Sequence, residues 1–195
     1  MPSLDEMLQA LRGAIGIALG DENAMRHFEV STEAFFRSFF AFIPALPFYL
    51  LITTAEWRII SETPEVTLAL DKNGFLISQF LSAVLSWIVF PVVLGILARP
   101  FAITRSYAQY IIAYNWASLP VLAAISFPFL LFSVGMLPKE GVTFIHLFLL
   151  LGVLWYRWKI ALTALGRGAG LAAGIVLLDI GTEIMVEFAI GAAFF

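Results

Sequence analysis

Long apolar runs alternate along the chain with short clusters of charged residues, glycine and proline. A bilayer's hydrocarbon core needs roughly 20 mostly apolar residues to be crossed as a helix. Five runs meet that length, at 34–53, 74–97, 110–136, 141–160 and 169–192. Residues 1–30 follow another pattern. Leu4, Met7, Leu8, Leu11, Ile15 and Leu19 recur at helical spacing, and Asp5, Glu6, Gln9 and Arg12 fall on other faces. This predicts an amphipathic helix, either lying on the membrane surface or packed on the cytoplasmic end of a bundle. Acids ahead of the apolar positions and Arg12 within them argue against a signal peptide.

Local signals sharpen the spans. Ser31 or Thr32 is placed as an N-cap for the first, with Glu33 in its first turn. Pro44 and Pro47 should kink it, as Pro91 should the second. Residues 107–136 are long for one straight crossing and contain Pro120 and Pro128, so they form a kinked helix or two pieces. The fourth run could extend as helix to Leu165. A last crossing at 160–178 would need a tight turn within Trp155 to Lys159, where there is neither Gly nor Pro. Gly166-Arg167-Gly168 is the better breaker, and the fifth span is placed after it.

Composition agrees. The 195 residues are 61% hydrophobic and 13% charged, with a mean hydropathy of +0.94. Soluble domains have about half apolar and a quarter charged residues, so a soluble fold and a disordered chain are both excluded. The expected class is an all-α polytopic integral membrane helical bundle, residues 31–195 forming its five-helix domain. The absence of cysteine removes disulfide and thiol chemistry, and His27 and His146 are too far apart to suggest a helical metal-ligand pair. A net charge of -3 gives no footprint for nucleic acid. The glycines at 166–170 lack the Lys-Ser/Thr of a phosphate loop, and no nucleophile-elbow, metalloprotease or kinase pattern is found. The chain reads as a non-enzyme without cofactor or metal.

Charge placement orients the spans. Arg12, Arg26, Arg99, Arg105, Arg157, Lys159 and Arg167 share one side, seven in all. Arg58, Lys72 and Lys139 share the other, beside Glu56, Glu62, Glu65, Asp71 and Glu140. Seven against three predicts a cytoplasmic N-terminus and a periplasmic C-terminus. Trp155, Tyr156 and Trp158 are placed in the aromatic belt of the inner interface.

The outliers are acids inside the fifth span. Asp179, Glu183 and Glu187 stand at i, i+4 and i+8 on one helical face. A carboxylate at the bilayer centre costs about 2.5–3.5 kcal/mol on insertion scales, so these need partners or protons. Arg37, in the first span, is the basic residue expected within reach of Asp179, and Asn115 is the best polar partner for it. His146 could relay protons or make one interhelical hydrogen bond. The functional reading is a proton or cation path, or a socket for a basic helix of a partner. The bland reading leaves Glu187 at the interface, Glu183 protonated and Asp179 in a polar helix contact. Gly74, Ser78, Ser82 and Ser86 step every four residues along the second span, as Gly170 and Gly174 do in the fifth. Such stripes suit close helix packing, although a hydrophilic pore lining would use the same serines. Tyr107, Tyr110 and Tyr114 form an aromatic face that reads as structural.

Leu11-Arg12-Gly13, Tyr114-Asn115-Trp116 and the Trp155–Lys159 cluster are similar to strings in small bacterial membrane proteins grouped with the Yip-domain family. The Asp-Leu-Tyr-Gly-Pro signature of that family's eukaryotic, Rab-associated members is absent. The resemblance implies a five-span bacterial inner-membrane protein and transfers no functional residue. Two functions are expected from these features. One is a non-enzymatic scaffold or accessory subunit in contact with the bilayer and with a membrane-protein partner or its own copies. The alternative is a small transporter or channel using the Asp179, Glu183 and Glu187 face. The topology is directly testable: a reporter that folds only in the periplasm should be active when fused to the C-terminus, and activity of a cytoplasmic reporter there would overturn the odd-span count.

Overall fold

The computed structural model describes residues 1–62 and 71–194; Glu65 lies outside them. Helix α1 spans Leu4–Leu19, α2 Thr32–Ser38, α3 Phe42–Ser61, α4 Lys72–Leu97, α5 Tyr107–Ser133, α6 Lys139–Leu165 and α7 Ala169–Phe194. Among the described residues there is no strand. Five helical stretches are long and apolar enough to cross a membrane, α2 and α3 together making the first. The protein is therefore an all-helical integral membrane bundle.

Most helix ends form as their residues dictate. Ser3 Oγ accepts from the Glu6 amide, Ser31 Oγ from the Ala34 amide and Asp71 Oδ2 from the Gly74 amide, each satisfying an otherwise orphaned donor. Gly166 ends α6 at a φ of 60°, a left-handed value cheap only for glycine, and the turn into α7 falls where expected. In the first span the break from α-helical geometry is a 3₁₀ turn at Phe39–Ala41. Pro44 lies just beyond it: proline has no N–H for the Phe40 carbonyl and its ring would strike that carbonyl. Pro120 and Pro128 do not split the third span, which is one helix of 27 residues.

The five spans close into a ring. Helix α5 packs against α3 and α6, α3 also against α4, α4 against α7, and α7 against α6. Outward faces remain apolar and uncovered, with Phe144, Phe148 and Leu151 on α6 and Leu177, Ile184 and Phe188 on α7 all exposed, as lipid contact requires. The first half of α5 is the exception. Residues 110–119 are buried without interruption, because α1 and α2 cover the side that lipid would otherwise touch.

Helix α1 docks on α5 and α6 through a face other than its leucine stripe. Ala10, Gly13, Ala14 and Ile17 are buried, and Leu4, Leu8, Ile15 and Leu19 stay exposed. The small face lets the backbones approach, and Tyr156 Oη donates to the Ala14 carbonyl at 2.6 Å. Tyr156 thus turns inward rather than joining an interfacial belt. Arg37 ties α1 down from the other side, at 3.0 Å from both Glu6 and Glu29. The bundle-packed form of the N-terminal helix is what the structure shows, with a large apolar stripe left over for the bilayer.

Gly13 tests how α1 is seated against the segment that follows it. A Cβ there would stand 2.6 Å from Phe28 Cε2 and 3.1 Å from the Ala24 carbonyl oxygen. Gly13→Val should destabilise the detergent-solubilised protein by about 1–3 kcal/mol, read as a lower midpoint in thermal unfolding. An unchanged midpoint would mean that α1 is not seated as described.

Candidate functional site

Inside the ring lies a cavity of about 540 Å³, within the range of sites for small solutes. Each span contributes one inward stripe at helical spacing. Helix α3 presents Tyr49, Thr53 and Glu56; α4 presents Gln79, Ser82 and Ser86, with Trp87 beside them. Helix α6 presents His146, Leu150, Val153 and Arg157, and α7 presents Asp179, Glu183 and Glu187. Helix α5 closes the wall with Tyr114 and Ser118. The acid face of α7 is therefore turned into the bundle, and Glu183 and Glu187 keep exposed surface there.

Asp179 has partners other than those expected. It is buried near the middle of α7. Arg157 Nη1 stands 3.3 Å from its Oδ2, and Tyr114 Oη donates to its Oδ1 at 2.6 Å. The guanidinium also lies over the Tyr114 ring, 4.0 Å from the centroid, an attraction that desolvation strengthens. Phe90 packs against the same tyrosine at 4.8 Å. A carboxylate, a guanidinium and a phenol from three helices thus form one unit. Its two charges cancel, which is what allows either to sit in apolar surroundings.

Several sequence expectations change here. Arg37 does not approach Asp179; it is committed to Glu6 and Glu29. Asn115 is buried but donates to Ser38 Oγ at 2.9 Å, because its position on α5 faces α2 and not α7. Tyr114, one residue earlier, takes the place expected of it. Ser78 is buried, with its hydroxyl bonded to the Phe75 carbonyl of its own helix, and Ser82 and Ser86 line the cavity. Gly74 sits in the first turn of α4, beside its own cap residue Asp71. Gly170 and Gly174 make no close contact with another element among the described residues, since a Cβ on either would meet nothing within 4 Å. His146 faces the cavity and packs edge-to-face on Phe129 at 5.5 Å.

None of the protein-family models, curated proteins or solved structures compared with the chain matches it.

Of the charged residues on the cavity wall, the sequence pattern does not point to two. Arg157 was assigned to an inner loop and Glu56 to an outer one, because both lie near the ends of their apolar runs. The signal for Arg157 was its phase: His146, Leu150, Val153 and Arg157 share one helical stripe once α6 runs to Leu165. Among the described residues, Arg157 is the one cation on the cavity wall, against four carboxylates. Glu56, Glu183 and Glu187 have no ion-pair partner among those residues. No group of three possible ligands that could hold a metal ion occurs among them.

The pair makes an energetic prediction. Asp179→Leu strands a buried guanidinium and should destabilise by about 3–5 kcal/mol. The Asp179→Leu, Arg157→Leu double variant should recover most of that loss, because two apolar side chains replace two charges. Chemical denaturation in detergent micelles measures both. A double variant no better than the single one would show that the two charges do not compensate each other.

Proposed function

We propose that the protein is a small transporter or channel that moves protons or small cations along the acid-lined cavity. The observation that carries this reading is the convergence of polar stripes from all five spans on one space with Glu56, Glu183 and Glu187, which have no ion-pair partner among the described residues. Intramembrane carboxylates without permanent partners suit ion and proton paths, because they can take up a mobile positive charge and release it. Ser82, Ser86 and Gln79 supply neutral polar groups along the same wall, and the Arg157–Asp179 pair holds α6 to α7 at one end of it. The charge asymmetry of the loops and the Yip-domain resemblance add a setting to this reading, a bacterial inner membrane with the N-terminus cytoplasmic.

A scaffold role is supported by a different surface. Gly170, Gly174 and Leu177 are exposed on the outer face of α7, where a helix of another protein or of a second copy could approach closely. The two readings separate in proteoliposomes. Wild-type protein should dissipate an imposed proton, sodium or potassium gradient. The Asp179→Asn, Glu183→Gln, Glu187→Gln triple variant should fall to the rate of protein-free vesicles. Glu183→Gln, Glu187→Gln alone, which keeps the Arg157–Asp179 pair, should do the same. No flux in the wild type under any gradient would overturn the transport reading, and a stoichiometric membrane partner on purification would favour the scaffold.

A further inference from the structure

The cavity occupies one half of the bundle. Its wall runs on α7 from Asp179 to Glu187, a rise of about 12 Å at 1.5 Å per residue. On α6 it runs from Arg157 back to His146, and on α5 from Tyr114 to Ile125. On all three helices the lining stops at the Arg157–Asp179–Tyr114 unit, which is therefore the floor. From there the wall leads toward the membrane face at which α7 ends. Asp179 and Tyr114 are buried, and Glu183 and Glu187 are exposed.

Beyond the floor the same inward stripes continue and change character. Three, four or eight residues further along each span stand Ala41, Leu94, Tyr110, Ala161 and Ile175, none of them charged. Each is at most 1% exposed, and all five belong to one contiguous core. Interiors packed at this density leave few voids as large as a water molecule. On α7 this dry half extends from Asp179 to the buried Ala172, about 10 Å at the helical rise.

A continuous pore would need a polar lining on both sides of the unit. We propose that the cavity is a one-sided cup, open to the face at which α7 ends and sealed from the face of the α6–α7 turn, so that solutes cross by alternating exposure. The crossing step rests on the transport reading above; the one-sided access does not. Carriers commonly hold their site near the middle of the bundle and expose it to one face at a time. Crossing then requires a second arrangement, in which the helices part beyond the floor.

The chain has no cysteine, so single cysteines report accessibility without background. Lys72→Cys, in the first turn of α4, marks one face and Arg167→Cys, in the α6–α7 turn, marks the other; both positions are exposed. Sealed membranes are treated from one face at a time with a membrane-impermeant maleimide. Gln79→Cys and Ser82→Cys should react from the Lys72 face about tenfold or more faster than from the Arg167 face, because reaction across the packed half waits on a local opening. Ala161→Cys and Ala172→Cys should resist from both faces without a gradient, and react once the membranes are dissolved and the chain denatured. With an ion gradient imposed, their reaction from the Arg167 face should rise. Equal labelling of Ser82→Cys from both faces, or faster labelling from the Arg167 face, would overturn the cup. Flux without that rise at Ala161→Cys and Ala172→Cys would overturn alternating exposure. One-sided labelling of Ser82→Cys without flux in the wild type would remove the transport reading, and the crossing step with it, and leave the cup standing.

Discussion

The Arg157–Asp179 pair is the constraint to which the interior of this bundle is fitted. Neither charge is tolerable alone in an apolar medium, so α6 and α7 must be in register to within the reach of one guanidinium. Tyr114 adds α5 to the same requirement, by a hydrogen bond to the carboxylate and a ring face under the guanidinium. Phe90 extends it to α4 through its contact with that ring. Four of the five spans are thereby registered at one level, with α3 held against its neighbours by packing. Apolar helices in lipid gain little from burying one greasy surface against another. Polar contacts of this kind, together with close packing, are what can specify a single arrangement.

Around that level the bundle is organised by what α5 touches. It is the span with the fewest lipid-facing positions, because α1 and α2 cover its first half. That arrangement explains why small residues, not leucines, make the docked face of α1, and why Asn115 faces Ser38 rather than the cavity. The N-terminal helix completes a wall, and its exposed leucines extend the lipid-facing surface beyond the five spans.

The five spans and the turn at Gly166–Gly168 were legible because length, hydropathy and glycine placement are local properties. The acid stripe of α7 was legible for the same reason. Its partners were not. Arg157 stands close to the Trp155–Lys159 cluster, where a cation near a span end is ordinarily an interfacial anchor, and only the full extent of α6 shows it to be internal. Asn115 and Tyr114 are adjacent, so their faces differ by 100° of helix rotation; which one meets Asp179 depends on how α5 is rotated against α7. Whether Ser82 and Ser86 pack or line a space turns on the closure of the ring, and no property of α4 alone contains that closure. Gly170 and Gly174 follow the same logic, since small residues permit a close helix but do not supply one.

The cavity's charge balance then constrains what it can hold. Asp179 and Arg157 cancel, leaving Glu56, Glu183 and Glu187 without compensation among the described residues. Two carboxylates about 6 Å apart, the rise between successive acids on α7, repel by about 3 kcal/mol at an effective dielectric of 20. Three full negative charges are therefore unfavourable, and occupancy by protons or by a positively charged group relieves the repulsion. The neutral pair responds to that occupancy far less, because whatever field a cation exerts on Asp179 it exerts with opposite sign on Arg157. The two kinds of charge on the same wall thus have different parts: the compensated pair holds the ring together, and the acids can gain or lose a proton or a positively charged group without unfastening it.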